Sequence, residues 1–210
     1  MNISRKSIYY LSLFFLSLVF HACQSNVEQP KPPTYLRLEV KTPIYALFEN
    51  EELPFVFEYD KEADMEFLQS KDKDMVWFNI DEKKYNFEIN ASYFKINSRK
   101  DLQEAINDCF TFLNRHEKLS AGILQQEYRN EEKKVYGTAF EIKGRDVVSP
   151  YQFYLTDSVN YFVRFALNNK ILPNNDSNAV VIEQLKKDMQ HMVNTFEWKT
   201  TGIKKQPTKK

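Results

Sequence analysis

The side chains able to do chemistry are few, and they stand apart from one another. The only thiols are Cys23 and Cys109, and the only histidines are His21, His116 and His191. Phosphate cradling needs closely spaced glycines, so that backbone N–H groups can approach the anion. Gly122, Gly137, Gly144 and Gly202 are too far apart for a P-loop or a dinucleotide fingerprint. A Gly-x-Ser-x-Gly elbow is absent as well. A zinc site needs three or four clustered ligands, and His116 and His191 each lie alone on an expected helix. The expectation is therefore no cofactor and no metal. Asp60, Glu62, Asp64 and Glu66 alternate, which on one strand would set four carboxylates on one face. Paired carboxylates there could do acid–base work, but four like charges better fit a solvated edge that discourages strand addition. Asp157-Ser158 fits a turn in which both side chains accept from backbone N–H groups. No catalytic residue is assigned, and the chain reads as non-enzymatic.

Cys23 is the exception, because of what precedes it. Arg5-Lys6 is followed by an almost wholly apolar run to Phe20, and Ala22 stands just before the cysteine. That is the plan of a signal peptide: a positive start, a short apolar stretch and a small residue at the cut. The run falls short of the ~20 apolar residues that span a bilayer. Cys23 occupies the place of the acylated cysteine of a bacterial lipoprotein, although Phe20 replaces the usual Leu and His21 is an uncommon neighbour. The plainer alternatives are an ordinary cleaved signal with an incidental cysteine, or an uncleaved anchor. On the lipoprotein reading, residues 1–22 are the signal peptide and Cys23 carries the lipid. Residues 23–34, with Pro30, Pro32 and Pro33, then form an extended tether. With Cys23 acylated, Cys109 has no partner for an intramolecular disulfide, and its place on an apolar helical stripe makes it a buried hydrophobe.

Loss of Arg5 and Lys6 with the signal takes Lys+Arg from 29 to 27 against 29 Asp+Glu, a net charge of about −2. No field of either sign is strong enough to recruit nucleic acid. Apolar residues make up 42% and aromatics 15%, enough for one core of ordinary domain size. Period-two patterns place strands at 35–40, 55–59, 65–68, 76–80, 85–96, 123–129, 134–143, 151–156 and 161–168. Ser98 with Asp101 three residues on opens a helix. Its apolar face is Leu102, Ala105, Ile106, Cys109, Phe112, Leu113 and His116, and it ends near Leu119. Residues 174–177 are expected to cap a second helix facing inward through Val181, Ile182, Leu185, Met189, Met192 and Phe196. Strand runs broken by two long helices predict α+β, a mainly antiparallel sheet covered by helices over residues 35–198. The half-repeat resembles the layered PsbP/Mog1 type, an analogy of fold that carries no function. Residues 199–210 read as a disordered basic tail.

Several motifs agree on a family. Lys31-Pro32-Pro33-Thr34-Tyr35-Leu36-Arg37-Leu38 behind a lipidated cysteine resembles the gliding motility lipoprotein GldD family of Bacteroidetes. So do Glu132-Lys133-Lys134-Val135-Tyr136-Gly137 and Gln152-Phe153-Tyr154-Leu155-Thr156-Asp157-Ser158. The ending, Asp188-Met189-Gln190 with Phe196-Glu197-Trp198, agrees too. The likeness runs from Cys23 to Trp198 and is least in residues 50–81. It implies a cell-envelope lipoprotein required for gliding and linked to the type 9 secretion apparatus, with other envelope proteins of that machinery as partners. It supplies no catalytic residue, and Cys23 alone matches a functional position, that of the acylated cysteine. Gln24 is not the Asp that retains lipoproteins at the inner membrane in the enteric rule. Ser25-Asn26-Val27-Glu28 lacks the acidic cluster of surface-exported ones. The expected place is the outer membrane, facing the periplasm. The alternative is a lipoprotein binding a small apolar or glycan ligand between sheet and helix. A hydrolase acting on envelope material would need a convergent cleft of titratable groups.

Overall fold

In the computed structural model, the described residues are 40–69, 74–171 and 173–199. Ten strands run β1 (Tyr45–Glu49), β2 (Phe55–Asp60), β3 (Asp64–Leu68), β4 (Met75–Glu82), β5 (Phe87–Lys95), β6 (Gly122–Asn130), β7 (Val135–Lys143), β8 (Tyr151–Thr156), β9 (Tyr161–Asn169) and β10 (Glu197–Trp198). Helix α1 (Arg99–His116) follows β5, and α2 (Ala179–Thr195) follows β9. Seven strands form one sheet in the order β3-β4-β5-β9-β8-β7-β6. The other three form a smaller sheet, β1-β2-β10. Every pairing is antiparallel, and the architecture is α+β.

The alternation along β5 behaves as its pattern requires. Phe87, Ile89, Ala91 and Tyr93 are buried on the inner face. Strand β9, at the centre of the sheet, is buried on both sides, as a strand covered above and below must be. Its Val163, Phe165 and Leu167 join the main core with Phe55 and Phe57 of the small sheet and Val181, Leu185, Met189 and Met192 of α2. Its Phe162 packs outward with Ile96 and Cys109 under α1, beside a second small cluster of Leu113, Phe140, Ile142 and Val147. The layers are thus α1, the large sheet, and then the small sheet with α2.

Helix α1 starts where its sequence says. Ser98 Oγ accepts from the Asp101 N–H at 3.2 Å and donates to Asp101 Oδ1 at 2.6 Å, while Asp101 Oδ2 accepts from the Asn97 N–H at 3.1 Å. Such a cap is worth about 1 kcal/mol. Helix α2 differs from expectation. Its N-cap is Asn178, with no side-chain cap bond, and residues 174–177 form a preceding turn in which the Ser177 N–H donates to Asn174 O at 3.1 Å. Asn175 is drawn away to donate from Nδ2 to Gly144 O and Val147 O, at 2.8 and 2.9 Å.

The small sheet is the other departure. Strand β1 lies beyond Pro43, after the segment expected to be the first strand. Of that segment, residues 35–39 lie outside the described residues, as do Cys23, the signal, the tether and residues 200–210. Only Phe48 of β1 is buried, because the strand is an edge paired to β2 alone. Lys199, assigned to the tail, is instead tied to the domain: its N–H donates to Pro54 O and its ammonium to Asn50 O, both at 2.7 Å.

Candidate functional site

Helix α1 fits the sheet loosely. Only Cys109 and Leu113 on it are fully buried, and beside it lies a cavity of about 540 Å³ bounded by β4, β5, β9 and the helix. Register explains what lines it. Trp77 on β4 pairs with Ser92 on β5, and Ser92 with Arg164 on β9, so the three stand in one row across the outer face. Phe94 and Phe112 supply further walls, and Asp101 and Asp108 of α1 reach the rim. Trp77 and Phe112 remain 37% and 38% exposed.

Arg164 is the unusual member. Its guanidinium lies 4.8 Å from the Phe112 ring centroid, and Nη2 donates to Gln152 Oε1 at 2.5 Å. Its buried Nε–H has no acceptor, and no carboxylate pairs with it among the described residues. Burial lowers its pKa from the ordinary arginine value, yet arginine stays charged in proteins. Cys109, in the same wall, is pushed up to about 12 by burial, with Arg164 opposing that shift, so its thiol is an unreactive hydrophobe. His116 is held below its usual value by burial and then by the Arg164 charge. Among the described residues, no nucleophile in the cavity is paired with a base.

A second polar cluster lies at the end of the main core, and the sequence did not assemble it. Asp60, Glu82 and Asp188 are only 5%, 3% and 6% exposed. Tyr45 Oη and Gln184 Nε2 donate to Asp188 Oδ1 at 2.7 and 2.9 Å, and Lys84 Nζ meets Asp60 Oδ2 at 3.1 Å. Beside them Tyr45 stacks on His191 at 3.7 Å, and His191 Nε2 lies 2.7 Å from Glu58 Oε2. Burial lifts Glu82 to about 7; Lys84 opposes this, and the Asp60 and Asp188 charges reinforce it. Burial likewise raises Asp188.

The four alternating acids do not share a strand face. A turn closed by the Ala63 N–H on Asp60 O at 3.0 Å separates them. Asp60 ends β2 in the small sheet and Glu62 sits in the turn. Asp64 and Glu66 lie exposed on β3, the edge of the large sheet, where Asp64 pairs with Lys83 at 2.7 Å. The solvated-edge reading holds for those two and fails for Asp60, because the chain changes sheets between them. Asp157 is a turn residue: its Oδ1 accepts from the N–H groups of Val159, Asn160 and Tyr161 at 2.9, 2.7 and 2.9 Å. Two signals for the buried cluster were available. Glu82 continues the inward alternation of Phe78 and Ile80, and Asp188 interrupts the apolar stripe of α2 between Leu185 and Met189.

The Glu82 carboxyl makes stability depend on pH. Its folded pKa of about 7 lies above the unfolded value of 4.5. Between those values the unfolded chain releases the proton first, so stability falls as pH rises from 4.5 through 7. The loss is at most about 3.5 kcal/mol, from about 1.4 kcal/mol per pKa unit. Glu82→Gln should therefore be more stable than the parent in urea unfolding at pH 8, with the gap closing at pH 4. An equal gap at both pH values would contradict the assignment.

Among the described residues, no group of three or more His, Cys, Asp or Glu is placed to hold a metal ion. No helix there is long and apolar enough to cross a membrane. In comparisons with known proteins, the family model described as gliding motility lipoprotein GldD matches residues 25–198. No curated protein matches the chain. Among solved structures, that of cyanobacterial PsbP (CyanoP) from Synechocystis sp. PCC 6803 is similar over 80% of this chain and 99% of that one. Its identity is 11% and its TM-score 0.45.

Proposed function

The chain belongs to the gliding motility lipoprotein GldD family, and from that premise we propose a lipid-anchored envelope component of the gliding machinery that works by docking rather than by catalysis. The single observation that carries this reading is the family match over residues 25–198. Lipid on Cys23 supplies the anchor: each buried CH₂ contributes ~0.8 kcal/mol, and more than one acyl chain makes anchoring stable. The Pro-rich stretch 23–34 holds the domain off the lipid surface. The partners are other envelope proteins of the gliding and type 9 secretion machinery, and Gln24 favours the periplasmic face of the outer membrane. Cys23→Ala should abolish labelling by radioactive palmitate, shift the protein out of the membrane fraction and stop colony spreading. A Cys23→Ala protein that still sediments with membranes and still supports spreading would overturn the reading.

A second reading, binding of a small ligand, is favoured by the cavity beside α1. Its volume of about 540 Å³ falls in the range of small-molecule sites, and its lining joins aromatic walls to charged and polar groups.

A further inference from the structure

We infer that the cavity beside α1, together with the amide ladder next to it on the same sheet face, is a saccharide-binding track. The inference rests on the ligand-binding reading above and names the ligand class. Two residues along from the row Trp77, Ser92 and Arg164 lies the row Asn79, Asn90 and Ala166, with Asn168 two positions beyond Ala166 on the same face of β9. Asn90 Nδ2 donates to Asn79 Oδ1 at 2.8 Å, Asn168 Nδ2 donates to Asn90 Oδ1, and it reaches Ala166 O at 3.3 Å. Each amide offers two donors and an acceptor oxygen. The ladder thus orients three side chains and leaves Asn79 Nδ2 and Asn168 Oδ1 unengaged within the described residues. Two residues along a strand span about 6.8 Å, so the ladder is the next row on the face that carries Trp77, Ser92 and Arg164.

The charges decide the class. An anion entering the cavity would meet four acids of its lining, Asp74, Asp101, Glu104 and Asp108. A cation would meet Lys95 and Arg164, and no carboxylate pairs with Arg164 among the described residues. A wholly apolar ligand would cover that guanidinium without satisfying it, which is costly. A neutral polyhydroxyl compound meets all three conditions. Its hydroxyls donate to the carboxylates and accept from the guanidinium and the amides, while a C–H face lies on the part-exposed ring of Trp77; Phe112 already carries the guanidiniums of Arg164 and Arg115, 4.8 and 4.9 Å from its centroid. Trp77 is 37% exposed and lines the cavity.

The test uses the full lipidated chain in a detergent without a sugar head group. The chain has two tryptophans, and Trp198 belongs to the small sheet, so a Trp198→Phe background leaves Trp77 as the sole reporter. Titration with chitotetraose, cellotetraose and maltotetraose should give a saturable change in Trp77 emission with at least one of them, half-complete below about 10 mM. In calorimetry, Trp77→Ala and Asn90→Leu, each with an unchanged circular dichroism spectrum, should weaken that binding at least about tenfold. No saturable response to any of the three would overturn the inference, as would binding that both variants leave unchanged. Coumarin, a neutral aromatic probe whose carbonyl can accept from Arg164, separates the two readings in calorimetry. If it binds and Trp77→Ala abolishes that binding while the saccharides do not bind, the saccharide class falls and ligand binding stands. If neither binds, both fall.

Discussion

Gly137→Ala should leave the large sheet barely able to form. Gly137 lies in the middle of β7, paired with Leu155 on one side and Tyr128 on the other. A Cβ there would fall 2.0 Å from Tyr154 O and 2.9 Å from Leu155 Cδ2. The first contact is with backbone, and Tyr154 is itself held in register against Arg164 of β9, so the obstacle cannot rotate away. Overpacking against mobile side chains costs ~1–3 kcal/mol. Against a fixed carbonyl the loss should exceed about 3 kcal/mol, a large part of the ~5–15 kcal/mol that stabilises a domain. Urea unfolding followed by circular dichroism measures it. A variant whose midpoint stays with that of the parent would show that the β7–β8 approach is looser than described.

The second large effect is expected at the contact between the two sheets. Phe57 of β2 is fully buried. Its ring meets Phe165 of β9 at 5.5 Å and 81°, an edge-on contact joining the small sheet to the large one, and stacks on Phe48 at 4.7 Å. Phe165 in turn stacks on Phe153 at 4.9 Å and meets Phe78 edge-on at 6.1 Å. Phe57→Ala removes the shared member of this array, and such truncations cost ~3–5 kcal/mol. Part of that loss is aromatic geometry, at ~0.5–1.5 kcal/mol per pair beyond area. Phe57→Leu should recover more than half of it. Because Trp198 pairs through β10 with Phe55 of β2, its emission should shift in Phe57→Ala under conditions where that of Trp77, on the outer face, does not. A loss below about 1 kcal/mol would mean that the small sheet is held mainly by α2.

Short-range order was legible in the chain. The Ser98–Asp101 cap, the alternation of Phe87, Ile89, Ala91 and Tyr93, the Asp157 turn and the apolar stripe of α2 each depend on residues within a few positions of one another. Period and capping chemistry report such order directly. Family membership was legible for a similar reason, since its motifs are contiguous. Helix α1 shows where that kind of reading stops. Its stripe from Leu102 to His116 marks the face turned toward the sheet, yet Phe112 on that stripe is 38% exposed and opens onto a cavity.

What only the tertiary structure decided is which distant groups meet. Asp60, Glu82 and Asp188 come from two sheets and a helix, and nothing local marks them as neighbours. Arg164 alternates on β9 as an outward residue in any reading, but that no carboxylate pairs with it among the described residues follows from what β5, β8 and α1 place around it. The separation of Asp60 from Asp64 and Glu66 turned on a single chain reversal, the point at which the polypeptide leaves one sheet for the other. Local pattern sets which face of an element is apolar. Strand register and layer stacking, which are long-range and cooperative, set what that face and its opposite come to touch.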